Sequence, residues 1–477
     1  MAEKQGISED WLSLWMGLFI FVLGLGVFLG WDILGWGIKT NVWTDITKSI
    51  VPISKTLQGM PGLTSLFLTY LFMLIVTQVG AIAMGVNVGR FFWSFSLVFW
   101  ISYGCWFAGH YGYIAATNAA KAGIGWSLKL TGEAGFIVAL IVGLIIGNFF
   151  PKFAKTLEEA TRPELYIKTA IVIMGAGLGV KAAEAVGLAS AVLFRGLCAI
   201  IEAYLIYWAV VYFIARKYFK FNREWAAPLA SGISICGVSA AIATGGAIRA
   251  RPVVPIMVSS LVVIFAVVEL LILPFLAQMF LWAEPMVAGA WMGLAVKTDG
   301  AAVASGAIVD SLIRAKALAA QGINYKAGWM LMTSTTVKVF IDIFIGVWAF
   351  ILAVIWCSRI ECKGGRIRAS EIWERFPKFV IGYVITFLIM LLVCLGAPGV
   401  IKTAKAATGE MNVFRVMFFV LTFFTIGVVS NFKKLWEEGI GRLAAVYVLC
   451  LFGFIIWVGL LISWIFFHGV HPPIITG

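Results

Sequence analysis

The chain has 477 residues, of which 62% are hydrophobic and only 12% are charged. Soluble domains carry about twice that charged fraction, so the composition excludes a soluble globular protein and predicts a polytopic membrane protein. The formal net charge of +13 does not indicate nucleic-acid binding. The basic residues are scattered through short loops, where they act as a membrane-topology signal.

The hydrophobic runs are continuous rather than alternating, which favours membrane-spanning α-helices over a β-barrel. We predict an all-α fold with about thirteen transmembrane segments, at roughly 20 residues per span. In chain order the segments are 11–38, 65–84, 91–113, 132–150, 164–186, 188–218, 231–251, 253–282, 285–312, 329–356, 379–395, 411–429 and 440–467. The less apolar stretch Asp45–Leu57 is predicted to lie on the membrane surface.

One segment is repeated later in the chain, and we call this repeated pair the echo. Residues 232–248, GISICGVSAAIATGGAI, align without a gap to residues 293–309, GLAVKTDGAAVASGAIV. A repeated pair of glycine-interrupted hydrophobic segments predicts the binding site of a transporter. The alternative is that small residues only allow close helix packing. The repeated motifs extend over about 231–251 and 292–310, and their direction relative to each other stays open.

The first copy contains the string Ser234-Ile235-Cys236-Gly237, followed by Ser239. If a helix breaks here, the free N–H groups at the start of the next half attract an anion. The two serines offer hydroxyl groups, and Gly237 permits close approach of the ligand. The alternative is that the hydroxyls bond neighbouring helix carbonyls.

Ionisable residues inside membrane segments usually face a cavity or a partner. Lys297 and Thr298 of the second copy are predicted to contact the substrate, with Lys297 supplying positive charge. Asp299 is predicted to pair with Lys297 as a gate, to bind Na⁺, or to take a proton; an internal salt bridge is the alternative. Lys338 and Asp342 are four residues apart and can pair along one helix. Lys338 is predicted to bind the substrate and Asp342 to act in coupling or gating; the alternative is that the two only neutralise each other's charge.

No pattern indicates an enzyme, a cofactor or a metal site. The sequence has no P-loop and no Ser–His–Asp arrangement. Most of the seven cysteines stand alone inside apolar runs, so neither a disulfide framework nor a zinc site is expected.

The first copy resembles the bacterial sulfate exporter family, long classed as uncharacterised conserved membrane proteins. The shared pattern is G-x-S-I-C-G-x-x-A-x-x-A, and it falls on Gly232, Ser234, Ile235, Cys236, Gly237, Ala240 and Ala243. The second motif departs from the family, because Lys297-Thr298-Asp299 stands where a His-Glu or His-Asp pair is usual. The resemblance begins near Gly132, which implies an N-terminal addition over residues 1–130 and a transporter module over 131–477.

The wider resemblance is to sodium–proton antiporters and bile-acid symporters. It implies a panel (scaffold) domain, a core (transport) domain with two broken helices that cross in mid-membrane, inverted repeats and a homodimer. The broken helices would be Ser231–Ile248 and either the second copy of the echo or Phe418–Asn431.

These observations predict a secondary transporter in the bacterial inner membrane with a cytoplasmic N-terminus. Its expected substrate is a small anion such as sulfate, sulfite or a small sulfonate, with export as the direction that the resemblance implies. The alternative is a cation- or proton-coupled antiporter or symporter in which Asp299 binds the ion. A membrane protein without transport activity is a further alternative.

Overall fold

The computed structural model describes residues 7–116, 119–120, 122–128, 130–251, 253–359, 373, 376–430 and 441–475. The chain divides into two compact units, each built from separate parts of the sequence. The first unit takes Met1–Val186 and Lys378–Val429, and the second takes Gly187–Pro377 and Ser430–Gly477. The predicted division at residue 130 follows sequence resemblance rather than packing, and it stays a prediction.

In its described residues the first unit contains helices, connecting loops and one small hairpin. Its helices are α1 (Glu9–Gly24), α2 (Gly62–Met84), α3 (Val88–Gly109), α4 (Gly112–Ala115), α5 (Ala134–Phe149), α6 (Pro151–Leu157), α7 (Pro163–Glu184), α18 (Lys378–Gly396) and α19 (Ile401–Val429). Short 3₁₀ segments are Leu25–Leu29, Ile46–Lys48, Lys55–Leu57, Glu158–Ala160 and Pro398–Val400. Strands β1 (Ile38–Thr40) and β2 (Ile50–Pro52) pair antiparallel, with Lys39 opposite Val51.

The second unit contains the echoed segments. Its helices are α8 (Val186–Gly196), α9 (Cys198–Ile201), α10 (Trp208–Lys217), α11 (Arg223–Ser234), α12 (Val238–Ala247), α13 (Val253–Phe280), α14 (Pro285–Ala295), α15 (Asp299–Gln321), α16 (Trp329–Ile343), α17 (Ile345–Arg359), α20 (Gly441–Cys450) and α21 (Ile456–Phe467). Two π-helical stretches, Glu202–Tyr207 and Leu451–Ile455, interrupt the α-helical winding.

The predicted helical membrane architecture is confirmed. Among the described residues, ten helices are long and apolar enough to cross a membrane, and α5 followed by the sharply bent α6 gives an eleventh. The other two of the thirteen predicted segments are the two copies of the echo. Phe418–Val429 belongs to the continuous helix α19, so the alternative that placed a broken helix there is wrong; Asn431 lies outside the described residues.

The first copy of the echo is a helical hairpin, formed by α11 and α12. The Thr244 hydroxyl donates to the Ser231 hydroxyl at 2.7 Å across the two limbs. At the open end, Arg251 pairs with Glu224 at 3.1 Å. Along one continuous helix, residues thirteen apart would be separated by about 20 Å. The chain therefore turns back on itself at the break.

The second copy of the echo, formed by α14 and α15, is also a hairpin, and both of its limbs pack against α16. Gly289 contacts Met330, and Gly293 contacts Ser334. On the returning limb, the carbonyl of Ala302 accepts from the Ser334 hydroxyl at 2.8 Å. Further along α15, Asp310 accepts from the Gly328 N–H at 2.8 Å, just before α16 begins. The two limbs therefore follow α16 in opposite directions and are antiparallel.

Helix α13 joins the two hairpins and determines where each one opens. The first hairpin opens beside the start of α13. The second opens beside its other end, where the Lys316 ammonium donates to the carbonyl of Gln278 at 2.9 Å. Because α13 is long enough to cross a membrane, the hairpins enter from opposite ends of this helix.

Candidate ligand-binding site at the hairpin tips

Each hairpin turns at a three-residue tip, and the two tips occupy aligned positions of the echo. The first tip is Ile235–Gly237 and the second is Val296–Thr298. Gly237 has φ +63° and ψ −108°, a conformation that only glycine adopts without strain. A Cβ atom on Gly237 would lie 3.2 Å from Thr298 Cγ2 and 3.3 Å from the Lys297 carbonyl oxygen. The tips are therefore in direct contact.

Lys338, on α16, joins the tips electrostatically. Its ammonium donates to the carbonyl of Ile235 at 2.8 Å and to the carbonyl of Lys297 at 3.1 Å. It also lies 3.8 Å from Asp299 Oδ1. Both carbonyls belong to breaks in helices, where regular backbone hydrogen bonding stops. One buried cation thus donates to the carbonyl groups that the breaks in both hairpins leave without helical partners.

Acidic groups from two helices lie next to the first tip. The ligand atoms of Cys236, Asp299 and Asp342 are within 4.8 Å of one another, and all three side chains are buried. This is a donor set that a small cation could use. The Lys338 ammonium beside Asp299 already supplies positive charge here, which favours an ion pair or a proton site over a resident metal.

Lys297 lies in the second tip but faces a different set of groups. Its ammonium donates to the carbonyl of Leu294 and lies 4.6 Å from the centre of the Tyr207 ring. Its backbone N–H donates to Glu269 Oε2 at 2.9 Å, and Tyr447 bonds the other oxygen of Glu269 at 3.2 Å. The glutamate of α13 therefore holds the second tip.

The three predicted hydroxyl groups differ in their surroundings. Ser234, at the end of α11, is fully buried, and its hydroxyl has no hydrogen-bond partner among the described residues. Ser239 lies in the first turn of α12 and is half-buried. Thr298 instead caps α15, because its hydroxyl accepts from the Ala301 N–H at 3.2 Å. Helix α12 begins at Gly237 without any side-chain cap.

Several residues of the site were assigned no chemical role at the level of sequence. Arg195 and Glu202 are seven residues apart, a spacing that predicts a structural pair, and Glu269 is a single acid inside an apolar span. Arg195 in fact donates to the carbonyl of Phe466 at 2.7 Å. Glu202 and Glu269 act electrostatically on Lys297. An acid inside an apolar run was the available signal, but no spacing rule connects these helices.

The buried charges of the site do not balance. No member of the group exposes more than 4% of its surface. The group consists of the acids Glu202, Glu269, Asp299 and Asp342 and the bases Lys297 and Lys338. With all six ionised there are two excess negative charges. Uncompensated charge inside a membrane is costly, so bound protons or cations are expected to neutralise it.

Most of the predicted site is brought together by the structure. The first tip, the second tip, Lys338, Asp299 and Asp342 form one connected group. The two hairpins open at opposite ends of a spanning helix and touch at their tips. The protein is therefore a polytopic helical membrane protein with paired broken helices.

The comparisons identify the family. Over residues 117–446 the chain matches the family described as conserved hypothetical protein 698. It is 42% identical over 476 residues to the UPF0324 membrane protein of Nitrosomonas europaea, covering 98% of this chain and 97% of that protein. The chain belongs to the UPF0324 membrane protein family.

Two further relatives are similar to this chain over shorter stretches. An uncharacterized protein of Archaeoglobus fulgidus is 50% identical over 165 residues, which are 30% of this chain and 88% of that protein. A UPF0324 membrane protein of Nitratidesulfovibrio vulgaris is 28% identical over 428 residues, covering 86% of this chain and 65% of that protein. No solved structure matches the chain.

Proposed function

We propose that this protein is a secondary transporter with its substrate site at the two hairpin tips. The observation that carries the proposal is the contact between two broken helices bridged by Lys338. Broken helices of this kind form midplane substrate sites in secondary transporters, and alternating access moves one part of the protein around the site. The opposed openings of the hairpins support an inverted repeat.

The proposed substrate is a small inorganic or organosulfur anion such as sulfate, sulfite or a small sulfonate. Support comes from the uncapped start of α12, whose N–H groups form the positive end of the helix dipole. Ser234, with its unpartnered buried hydroxyl, and Ser239 lie on either side of this start. Export follows from the resemblance of the first motif.

Flux into proteoliposomes tests this substrate class. The purified protein should catalyse saturable counterflow of labelled sulfate, sulfite or taurine. Ser234→Ala should raise the half-saturation concentration roughly tenfold or more, because a hydrogen bond to a charged group contributes about 1.5–3 kcal/mol. Ser102→Ala is the matched control, since Ser102 in the first unit is also a buried hydroxyl with no hydrogen-bond partner among the residues that the structure describes. The proposal fails if none of the three solutes shows saturable flux.

A second candidate is a cation- or proton-coupled transporter in which Asp299 carries the ion. The excess of carboxyl groups over ammonium groups favours it. A pH-sensitive or sodium-sensitive dye should then report ion movement without added anion. Asp299→Asn should abolish the signal, and Asp45→Asn, which alters an exposed loop acid, should preserve it. A signal that survives Asp299→Asn contradicts this candidate.

A further inference from the structure

A cavity of about 530 Å³ lies in the first unit, between the start of α3 and helix α6. Arg90 and Trp93 line it from α3, and Lys152 and Lys155 line it from α6. Each pair is three residues apart on its helix and so shares a helix face. The hydroxyl of Ser94 donates to the carbonyl of Thr156 at 2.6 Å and ties the two walls together.

The cavity lies at an end of a membrane-spanning helix. The axis of α6 and the 3₁₀ turn after it bends by 118° from that of α5, directly after the apolar span ends. Aromatic side chains around this bend are strongly exposed: Phe149 at 75%, Phe150 at 56% and Trp93 at 70%. Trp is enriched at membrane–water interfaces, so the exposed Trp93 places the cavity at this level.

The charges that line the cavity are suited to a phosphate group. None of Arg90, Lys152 and Lys155 forms an ion pair with any residue of the described part of the chain. Glu158 and Glu159 lie on the same cavity, so the lining keeps one excess positive charge. Arginine and lysine are the usual protein partners of phosphate oxygens.

We propose that this cavity binds the headgroup of an anionic glycerophospholipid. The phosphodiester oxygens accept from Arg90, Lys152 and Lys155. Headgroup hydroxyls, as in phosphatidylglycerol, donate to Glu158 and Glu159. The acyl chains pass over the exposed ring of Trp93. A lipid fits better than a soluble anion, because Trp93 lines the cavity beside the cationic side chains and is 70% exposed.

Native mass spectrometry of the full-length protein tests the proposal, with phosphatidylglycerol, phosphatidylethanolamine and phosphatidylcholine offered in competition. We expect phosphatidylglycerol to be retained preferentially. The double variant Lys152→Ala/Lys155→Ala should bind it roughly thirtyfold more weakly, the factor expected for losing two basic residues near an anionic lipid. Lys39→Ala/Lys55→Ala removes the same charge from exposed positions in the same unit and should bind normally.

Three results would overturn the lipid site. The first is equal retention of the three lipids, and the second is equal loss of binding in both double variants. The third is that inorganic phosphate stabilises the delipidated protein against thermal unfolding as much as phosphatidylglycerol does. The last result would identify a site for soluble anions instead. If the double variant melts at a lower temperature than its control, Arg90→Gln replaces it, because this change keeps a polar side chain of similar length.

Discussion

At the residue scale, Lys338 is the group on which the contact between the tips most directly depends. The carbonyl ends of two half-helices point at the same ammonium, which is the charge that a helix C-terminus favours. The same ammonium faces Asp299. Lys297, predicted to carry the substrate charge, bonds instead to its own helix end and lies over Tyr207. Its assignment to substrate stays a prediction.

Removing the Lys338 charge should destabilise the protein strongly. We expect Lys338→Met to lower the free energy of unfolding by about 3–5 kcal/mol, because it deletes one partner of a buried ion pair. Lys338→Met/Asp299→Asn should recover part of this loss. Lys405→Met removes a half-exposed ion pair with Glu184 and should cost less than about 1 kcal/mol. Denaturation in detergent measures all three, and equal losses for Lys338→Met and Lys405→Met would contradict the role of Lys338.

Asp32, in the loop after α1, gives a prediction for the pH dependence of stability. Partial burial raises the pKa of Asp32, but hydrogen bonds from Ser54 and Thr56, with smaller contributions from Glu410 and the Gly35 backbone, together outweigh burial and hold the pKa below its ordinary value. The unfolded carboxyl therefore binds its proton at higher pH than the folded one. The stabilising contribution is complete above about pH 4 and is lost as the pH falls through the folded pKa.

Asp32→Asn should accordingly lose less stability than the original chain does when the pH is lowered. Ser54→Ala should change the profile in the same direction and by less, since Thr56 remains as a donor. Melting temperatures recorded between about pH 6 and pH 3 provide the comparison. Superimposable profiles for all three proteins would show that these hydrogen bonds do not control the titration.

At the element scale, the decisive feature is how the two echoed segments turn. Both copies stop being helical for three residues at aligned positions, and both reverse there. In the first copy the reversal depends on Gly237, whose backbone conformation is closed to other residues and whose missing side chain leaves room for the second tip. In the second copy Thr298 restarts the helix by capping it.

A side chain at Gly237 should distort the first tip. The Cβ atom of Gly237→Ala would lie 2.7 Å from Val262, and the backbone strain alone costs about 1–3 kcal/mol. We expect a clear fall in melting temperature in detergent. Gly246→Ala is the control on the same hairpin. Its Cβ atom would have no described neighbour within 4 Å, and alanine has a higher helix propensity than glycine. Equal melting temperatures for the two variants would rule out a constrained tip.

At the scale of the whole molecule, the second unit has two chemically different ends. Arg216, Lys217, Lys220 and Arg223 cluster where the first hairpin opens. The other end holds fewer bases, among them Lys316 and Lys326, together with Glu284, which pairs with His468, and the last described residues. The positive-inside rule therefore predicts a cytoplasmic location for the open end of the first hairpin.

Labelling from the two sides of the membrane tests that orientation. In a background with Cys357 and Cys362 changed to serine, Lys217→Cys should react with an impermeant maleimide only in inverted vesicles. His471→Cys should react only in intact spheroplasts. Both positions are exposed. Reaction of both from the same side would refute the opposed hairpins, and a swap of the two results would reverse the orientation.

The sequence by itself determined the class of protein, the places of the membrane segments, the echo and most members of the connected site. Those features depend on local hydropathy and on small or charged residues at given positions, which are readable one segment at a time. Only the tertiary structure decided that each echo is a hairpin, that Lys338 rather than Lys297 bridges the tips, and that Glu202 and Glu269 face Lys297. The direction of a chain after a break depends on a few backbone angles and on packing against α13 and α16, and the partner of a buried charge depends on helices distant in sequence.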